Sequence, residues 1–252
     1  MKSDQPLLSI IVPVFNGADT LPTALKSILQ QCGAELQIIL VDDGSTDASV
    51  TVARQLVPNS IASTQLTHVQ QENRGPAAAR NRGLALAQGE FISFLDADDY
   101  WPAGRIQHHM ALFRQNPAAA MVIGTTQLAR LAVNPGAASP ILPAPLIQQN
   151  LGAITCRRSV FESVGVFNET LRIGEDKEWF QRVLAAGLTL QMSRNVALVY
   201  QLREGSLTYG AIDHNRWFLA ALRDHLRLER REAGASLAAS AAVDCERIEE
   251  ER

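Results

Sequence analysis

The chain has 252 residues, 46% of them hydrophobic and 19% charged, and a net charge of −3 at pH 7. That balance gives one large or two small globular domains with ample core, and it lacks the basic footprint expected of a nucleic-acid binder. Cys32, Cys156 and Cys245 lie far apart with no CxxC pair, which argues against a zinc site or a disulfide framework and fits a reducing cytosol. No apolar run approaches the roughly 18 residues that cross a bilayer; peripheral membrane contact stays open.

Leu7–Phe15 is a near-continuous apolar run suited to a strand buried on both faces. Asp4 precedes it and no clean small-residue cleavage site follows, so it reads as the first strand and not as a signal core. Pro13 belongs at its end, where a missing ladder donor matters least. Asn16-Gly17 turns the chain. Thr20 is placed to cap a helix carrying Leu21, Leu25, Ile28 and Leu29 at helical spacing, with Gly33 ending it. Leu36–Val41 is a second buried strand that runs into Asp42-Asp43-Gly44-Ser45-Thr46-Asp47. Asp42 and Asp43 are the better site candidates there, able to accept hydrogen bonds from a base or ribose. Ser45 or Thr46 caps the next helix.

Leu66–Val69 is a third strand. Gly75-Pro76 then starts a helix with proline at its first position, and Ala77-Ala78-Ala79 make it slim enough for close approach. The open N-terminus of that helix, with Gly75 and with Arg80 one turn inside, suits a phosphate; the plainer alternative is a solvated basic face. Phe91–Leu95 is a fourth strand that ends on Asp96-Ala97-Asp98-Asp99. If the chain stays extended, Asp96 and Asp98 share a side. At about 5 Å and an effective dielectric of about 20 they repel by roughly 3 kcal/mol, a cost that a hard divalent cation such as Mg2+ or Mn2+ removes. The bland reading is an acidic turn before a helix from Pro102 to about Asn116.

Strand and helix alternate to this point, which means a mainly parallel sheet covered on both faces. Met121–Val133 reads as a strand or hairpin, and the proline-rich stretch Asn134–Pro145 as a loop over the site. Ala153–Cys156 is a short strand and Arg158–Val164 a short helix. Glu175 and Asp176 open a further helix that ends at Gly187. Acids there are favourable against the helix dipole by about 0.3–1 kcal/mol, and a carboxylate on a rigid helix start also suits a general base. Val196–Leu202 is a strand, an amphipathic helix runs from about Asp213 to Arg231, and 232–252 is a tail that continues helical or frays.

Taken in order, Ser9–Asn16, Val41–Asp47, Asn73-Arg74-Gly75 with Ala79-Arg80-Asn81, Gly89–Ile92 with Leu95–Asp99, and Gly174-Glu175-Asp176 resemble family 2 glycosyltransferases of the GT-A fold, over roughly residues 7 to 209. The resemblance implies a single α/β domain over 1–231, with a nucleotide-sugar-binding half at about 7–125, a smaller acceptor half at 146–209 and a C-terminal helix. It implies a UDP-, GDP- or dTDP-sugar donor, a divalent cation (Mn2+ or Mg2+), inversion, and a glycan, lipid-linked or protein acceptor. A cytoplasmic place in cell-surface polysaccharide synthesis also follows from it. By position, Pro13, Val14 and Phe15 cradle the base, Asp43 bonds it and Asp42 assists. Gly75 and Arg80 lie near the nucleotide. Asp96 and Ala97 contact the donor, with Asp96 on ribose or metal, and Asp98 holds the metal. Asp176 is the base, with Glu175 beside it.

Two departures stand out. Where many members carry Arg and His after the base helix, this chain has Tyr200–Ser206, with Arg203 as a fixed charge near the diphosphate. Gly-Phe-Asp is replaced by Val166-Phe167-Asn168, expected to be structural. The alternatives are a degenerate transferase-like nucleotide-binding scaffold, a nucleotidyltransferase and, further off, a dehalogenase-like phosphatase. A homodimer through the C-terminal helix also stays open.

Overall fold

The computed structural model describes residues 6–57, 64–130, 150–171 and 173–202. Arg203, the Asn134–Pro145 loop, the helix expected over Asp213–Arg231 and the tail lie outside them. Within them, seven strands form one sheet in the order β3-β2-β1-β4-β6-β5-β7. Strands β1 (Leu7–Val14), β2 (Glu35–Asp42), β3 (Thr64–Gln70) and β4 (Phe91–Phe94) run parallel to one another. Strand β5 (Met121–Arg130) pairs parallel with β7 (Leu190–Leu202), and β6 (Ile154–Arg157) lies antiparallel between β4 and β5. The fold is thus a mostly parallel mixed sheet flanked by helices, the α/β architecture that the strand–helix alternation predicts.

Period two sorts the strands onto two cores. Leu8, Ile10, Val12 and Val14 of β1 and Leu36, Ile38 and Leu40 of β2 face one cluster. There they meet α1 (Leu21–Leu29), α2 (Ser49–Leu56) and α4 (Arg105–Gln115) through Leu25, Ala53 and Phe113. Ile11, Ile39 and Val41 face the other cluster. It is closed by α3 (Pro76–Leu86), α5 (Ser159–Val164) and α6 (Glu175–Ala185) through Ala79, Phe161 and Trp179. Each fully buried aliphatic side chain contributes about 1.5–3 kcal/mol, so both helix layers are firmly held to the sheet.

Helix α3 sits closest to it. Gly75 (φ 88°) precedes Pro76 at the helix start, as its sequence predicts, and the alanines Ala77, Ala78 and Ala79 are buried. At Gly83 a Cβ would come within 2.4 Å of Ile11 Cγ2. Only a residue without a side chain lets the helix axis approach β1 this far.

Four local expectations are corrected. Helix α2 starts at Ser49, with Ala48 in the cap position, because Ser45 and Thr46 bond to the loop around Asn16 instead. Strand β4 ends at Phe94, and the Asp99 N–H donates to the Asp96 carbonyl at 3.1 Å. The chain turns there, so the period-two argument for Asp96 and Asp98 does not apply. Helix α4 begins at Arg105, after a left-handed Gly104, not at Pro102. Strand β7 begins six residues before Val196; its first half carries Gln191, Ser193, Arg194 and Asn195, and register shifts opposite Ile123–Thr126 break its pattern.

Gly83→Val tests the close approach. The extra carbons overpack Ile11 and cost about 1–3 kcal/mol, against a propensity gain under about 1 kcal/mol. Urea unfolding is expected to show a lower midpoint at an unchanged slope.

Candidate active site

The candidate site lies on the carboxyl edge of the parallel strands, where open α/β sheets bind ligands. The edge is cross-tied by backbone. Asp43 N–H donates to the Val14 carbonyl at 2.8 Å, Leu95 N–H to Ile11 at 3.1 Å and Gln71 N–H to Asp42 at 2.9 Å.

The first wall is the turn after β1. Val14 is buried, Pro13 half-buried and Phe15 53% exposed. Asn16 adopts φ 50°, a conformation that asparagine tolerates. Its N–H donates to Ser45 Oγ, Gly17 N–H to Ser49 Oγ and Ala18 N–H to Asp47 Oδ2, each at 2.9 Å. Thr46 N–H returns a bond to Asn16 Oδ1 at 2.8 Å. Hydrogen bonds from Ser49 hold the Asp47 carboxyl below its ordinary pKa despite some desolvation. This lacing fixes the turn and leaves the Phe15 ring presented to solvent.

The second wall is formed by Asp42, Asp43 and the start of α3. Asp43 Oδ1 accepts from Gln71 Nε2 (2.8 Å) and Arg74 N–H (2.9 Å), and Oδ2 accepts from Gly75 N–H (2.8 Å). Asp43 is therefore a brace for the 71–75 loop, with one lone pair of Oδ2 left over. Fully buried Asp42 accepts Ser45 N–H at 2.8 Å through Oδ1, and its Oδ2 has no hydrogen-bond partner. Gly75 is half-buried with open space at its Cα.

The centre is an ion-pair network. Arg80 NH2 meets Asp96 Oδ1 at 2.8 Å and its NH1 meets Glu175 Oε1 at 2.6 Å. The arginine and glutamate side chains are 7% and 8% exposed, that of Asp96 38%. Burial alone pulls the Arg80 pKa down, but Asp96 and Glu175, with Asp176 farther off, more than reverse that and raise it. The solvated basic face that was the plainer reading of Arg80 is thus overturned, and two of its nitrogens are engaged by protein carboxylates.

Asp176, one residue on, is half-buried and accepts the Lys177 N–H at 2.8 Å. Burial, then the neighbouring Glu175, raise its pKa above the usual 3.8; Arg80, that hydrogen bond and Lys177 pull less strongly the other way.

The acidic turn is pinned from the far side. Asp99, almost fully buried, accepts the Gln201 N–H at 2.9 Å. Gln201 Nε2 donates to the Asp98 carbonyl, and Tyr100 bridges to Val199. Ala97 is half-buried and close to Gly17, so the acidic turn touches the turn after β1. Asp96, Glu175 and Asp176 thus share one site with Arg80, at the edge that also carries Pro13–Phe15, Asp42, Asp43 and Gly75. The sequence reading missed Gln71, Asn81, Asp99 and Gln201. Asn81 Nδ2 donates to the Phe167 carbonyl and its Oδ1 accepts Phe167 N–H, both at 2.9 Å. Val166-Phe167-Asn168 is structural as expected, with Phe167 packed on Phe94 and Trp179.

The family model described as glycosyl transferase family 2 matches residues 9–162. The chain belongs to that family. It is 31% identical over 236 residues to the succinoglycan biosynthesis protein ExoU of Rhizobium meliloti, covering 84% of this chain and 67% of that one. It is 37% identical over 113 residues to an uncharacterized glycosyltransferase of Haemophilus influenzae, covering 45% and 44%. The chain thus spans less than half of one of these two relatives and two thirds of the other. Mannosyltransferase PcManGT of Pyrobaculum calidifontis, solved with GDP-Man and Mn2+, superposes with a TM-score of 0.64 at 20% identity, over 91% of this chain and 65% of that one. S. aureus TarS 1-349 with UDP-GlcNAc gives 0.63 at 21%, over 79% and 59%. These likenesses establish the GT-A-type fold.

Asp43→Ala removes the acceptor of three N–H groups. It is expected to cost about 1–3 kcal/mol and to raise amide exchange of Arg74 and Gly75 above that of β1, measured by hydrogen exchange.

Proposed function

We propose that the chain transfers a sugar from a nucleotide-sugar donor to an acceptor hydroxyl with inversion, assisted by Mg2+ or Mn2+. One observation supports this reading: Arg80 joins the acidic turn after β4 to the first turn of α6, so carboxylates from both lie together at the sheet edge.

In this reading the base lies against Pro13, Val14 and the exposed Phe15, with Asp42 and Asp43 offering acceptors to its ring N–H groups. Gly75, with no side chain, lets the nucleotide approach the start of α3. Asp98 and Asp96 would hold the cation, and Arg203, outside the described residues, would supply a fixed positive charge for the diphosphate. Among the described residues no three His, Cys, Asp or Glu side chains gather as a metal cage. An all-oxygen pair fits Mg2+ or Mn2+, which take remaining ligands from phosphate and water. When bound, the cation stabilises charge on the leaving diphosphate.

Asp176 takes the acceptor proton. Its raised pKa makes it a stronger base than an ordinary carboxylate. Glu175, locked on Arg80, keeps it in place. A base on the face opposite the leaving group gives inversion by single displacement, as opposed carboxylates do in inverting glycosidases. Relatives named for succinoglycan and teichuronic acid biosynthesis support a glycan acceptor in cell-surface polysaccharide synthesis. No helix among the described residues is long and apolar enough to cross a membrane; we place the reaction in the cytoplasm, with peripheral membrane contact compatible with a lipid-linked acceptor.

Calorimetry with UDP, GDP and dTDP is expected to show tighter binding of one of them with Mn2+ than with EDTA. Equal affinity in both conditions for all three would remove the cation from the reading.

Asp176→Asn is expected to keep diphosphate binding and lose transfer; an unchanged transfer rate would remove the base. It is also expected to raise Tm at pH 7. A carboxyl whose folded pKa lies above its unfolded value contributes stability at low pH that is lost as pH rises through the folded pKa. The ionised Asp176 therefore destabilises the native state near neutrality, and asparagine removes that cost. The rate of the native chain should accordingly fall on acidification at a pH above the ordinary aspartate value.

A further inference from the structure

We infer that Arg80 is a positioning residue that sets the separation between the donor-side carboxylate Asp96 and the base helix carrying Asp176. The inference rests on the reading of Asp176 as the base and adds the element that places it.

The geometry is that of a spacer. A guanidinium is a rigid planar fork, and its two terminal nitrogens take Glu175 at 2.6 Å and Asp96 at 2.8 Å. The fork rises from α3, a helix packed tightly on the sheet. That helix is seated on Ile11 through Gly83 and clamped to Phe167 by the two Asn81 hydrogen bonds. Glu175 is the first residue of α6 and Asp176 the second, so a fixed Glu175 fixes the start of the base helix.

Helix α6 does not need Arg80 to fold. Trp179, Phe180 and Val183 anchor it in the core, and Glu178 is bonded to Arg182 at 2.7 Å. The acids of its first turn suit the helix dipole. Arg80 adds lateral placement. It faces Asp96 from the acidic turn and Glu175 and Asp176 from α6, and Lys177 is the other charge acting on Asp176. A lysine would bring one ammonium in place of the fork and cannot reproduce both contacts at this spacing.

The test uses the full chain and three variants: Arg80→Lys, Arg80→Gln, and Arg80→Gln with Glu175→Gln. Release of nucleoside diphosphate is followed with UDP-glucose, UDP-N-acetylglucosamine, GDP-mannose and dTDP-glucose in Mn2+, with water as acceptor. The single glutamine leaves Glu175 buried and unpaired and is expected to lower Tm sharply. The double variant buries no unpaired charge there and is expected to recover most of that Tm. Its release rate should nevertheless stay about 10- to 100-fold down, in kcat, with donor KM changed less than about threefold. Arg80→Lys is expected to fall between. Hydrogen exchange, which needs no donor, should show amides 176–180 of the double variant exchanging faster while β1 and β2 are unchanged. Recovery of rate in step with Tm, or unchanged protection of α6, would overturn the inference. Asp176→Asn run beside them separates the two ideas: wild-type release there defeats the base, while the exchange measurement still reports on Arg80.

Discussion

A cleft lined with carboxylates has to hold like charges together before any ligand arrives, and here one buried arginine does so. Asp96 and Glu175 come from well-separated stretches of the chain and share a single guanidinium. In a site this dry, removing the cation leaves a buried carboxylate uncompensated, at a cost of about 3–5 kcal/mol. Keeping the cation turns the same repulsion into a geometric constraint. The acids cannot drift apart without losing it, nor collapse together through it.

The constraint depends on where the arginine is mounted. Helix α3 carries three successive buried alanines and a glycine against the sheet. A bulkier helix would stand farther from β1, and Arg80 would no longer reach both carboxylates. Asn81, the next residue, ties the same helix to the segment before α6 by exchanging two hydrogen bonds with Phe167. Phe167 belongs to the aromatic cluster with Phe94, Phe161 and Trp179. Packing of the second core thereby sets the register of the site.

Much of this was legible in the chain. Apolar runs placed β1, β2 and β4, because burial on both faces forces continuous hydrophobicity, and the acids after β2 and β4 marked the edge where the site lies. Gly75-Pro76 marked the start of α3 by backbone chemistry alone. The partners of polar side chains were not legible. Ser45 and Thr46 have the composition of helix caps, yet bond to Asn16 in a turn 30 residues away. Arg80, in a segment with three arginines, has the look of a surface charge; only the fold shows it paired and buried. Long-range hydrogen bonds leave no periodic signal, so Gln71, Asn81 and Gln201 gave none. The first half of β7 was hidden by its polar residues and by a register shift opposite β5.

The acids themselves show why sequence could find the site but not divide its labour. They come as adjacent pairs: Asp42-Asp43, Asp98-Asp99 and Glu175-Asp176. In each pair one acid is tied to a distant part of the chain. Asp43 accepts three N–H groups, buried Asp99 accepts Gln201, and Glu175 takes Arg80. Their neighbours differ: Asp42 keeps one oxygen without a hydrogen bond, Asp98 is half-buried, and Asp176 has its pKa raised. The tied-down acid is the second of the pair after β2 and in the acidic turn, and the first at the start of α6. Each pair thus contains one acid that braces a distant segment, and the brace gives its neighbour a fixed place.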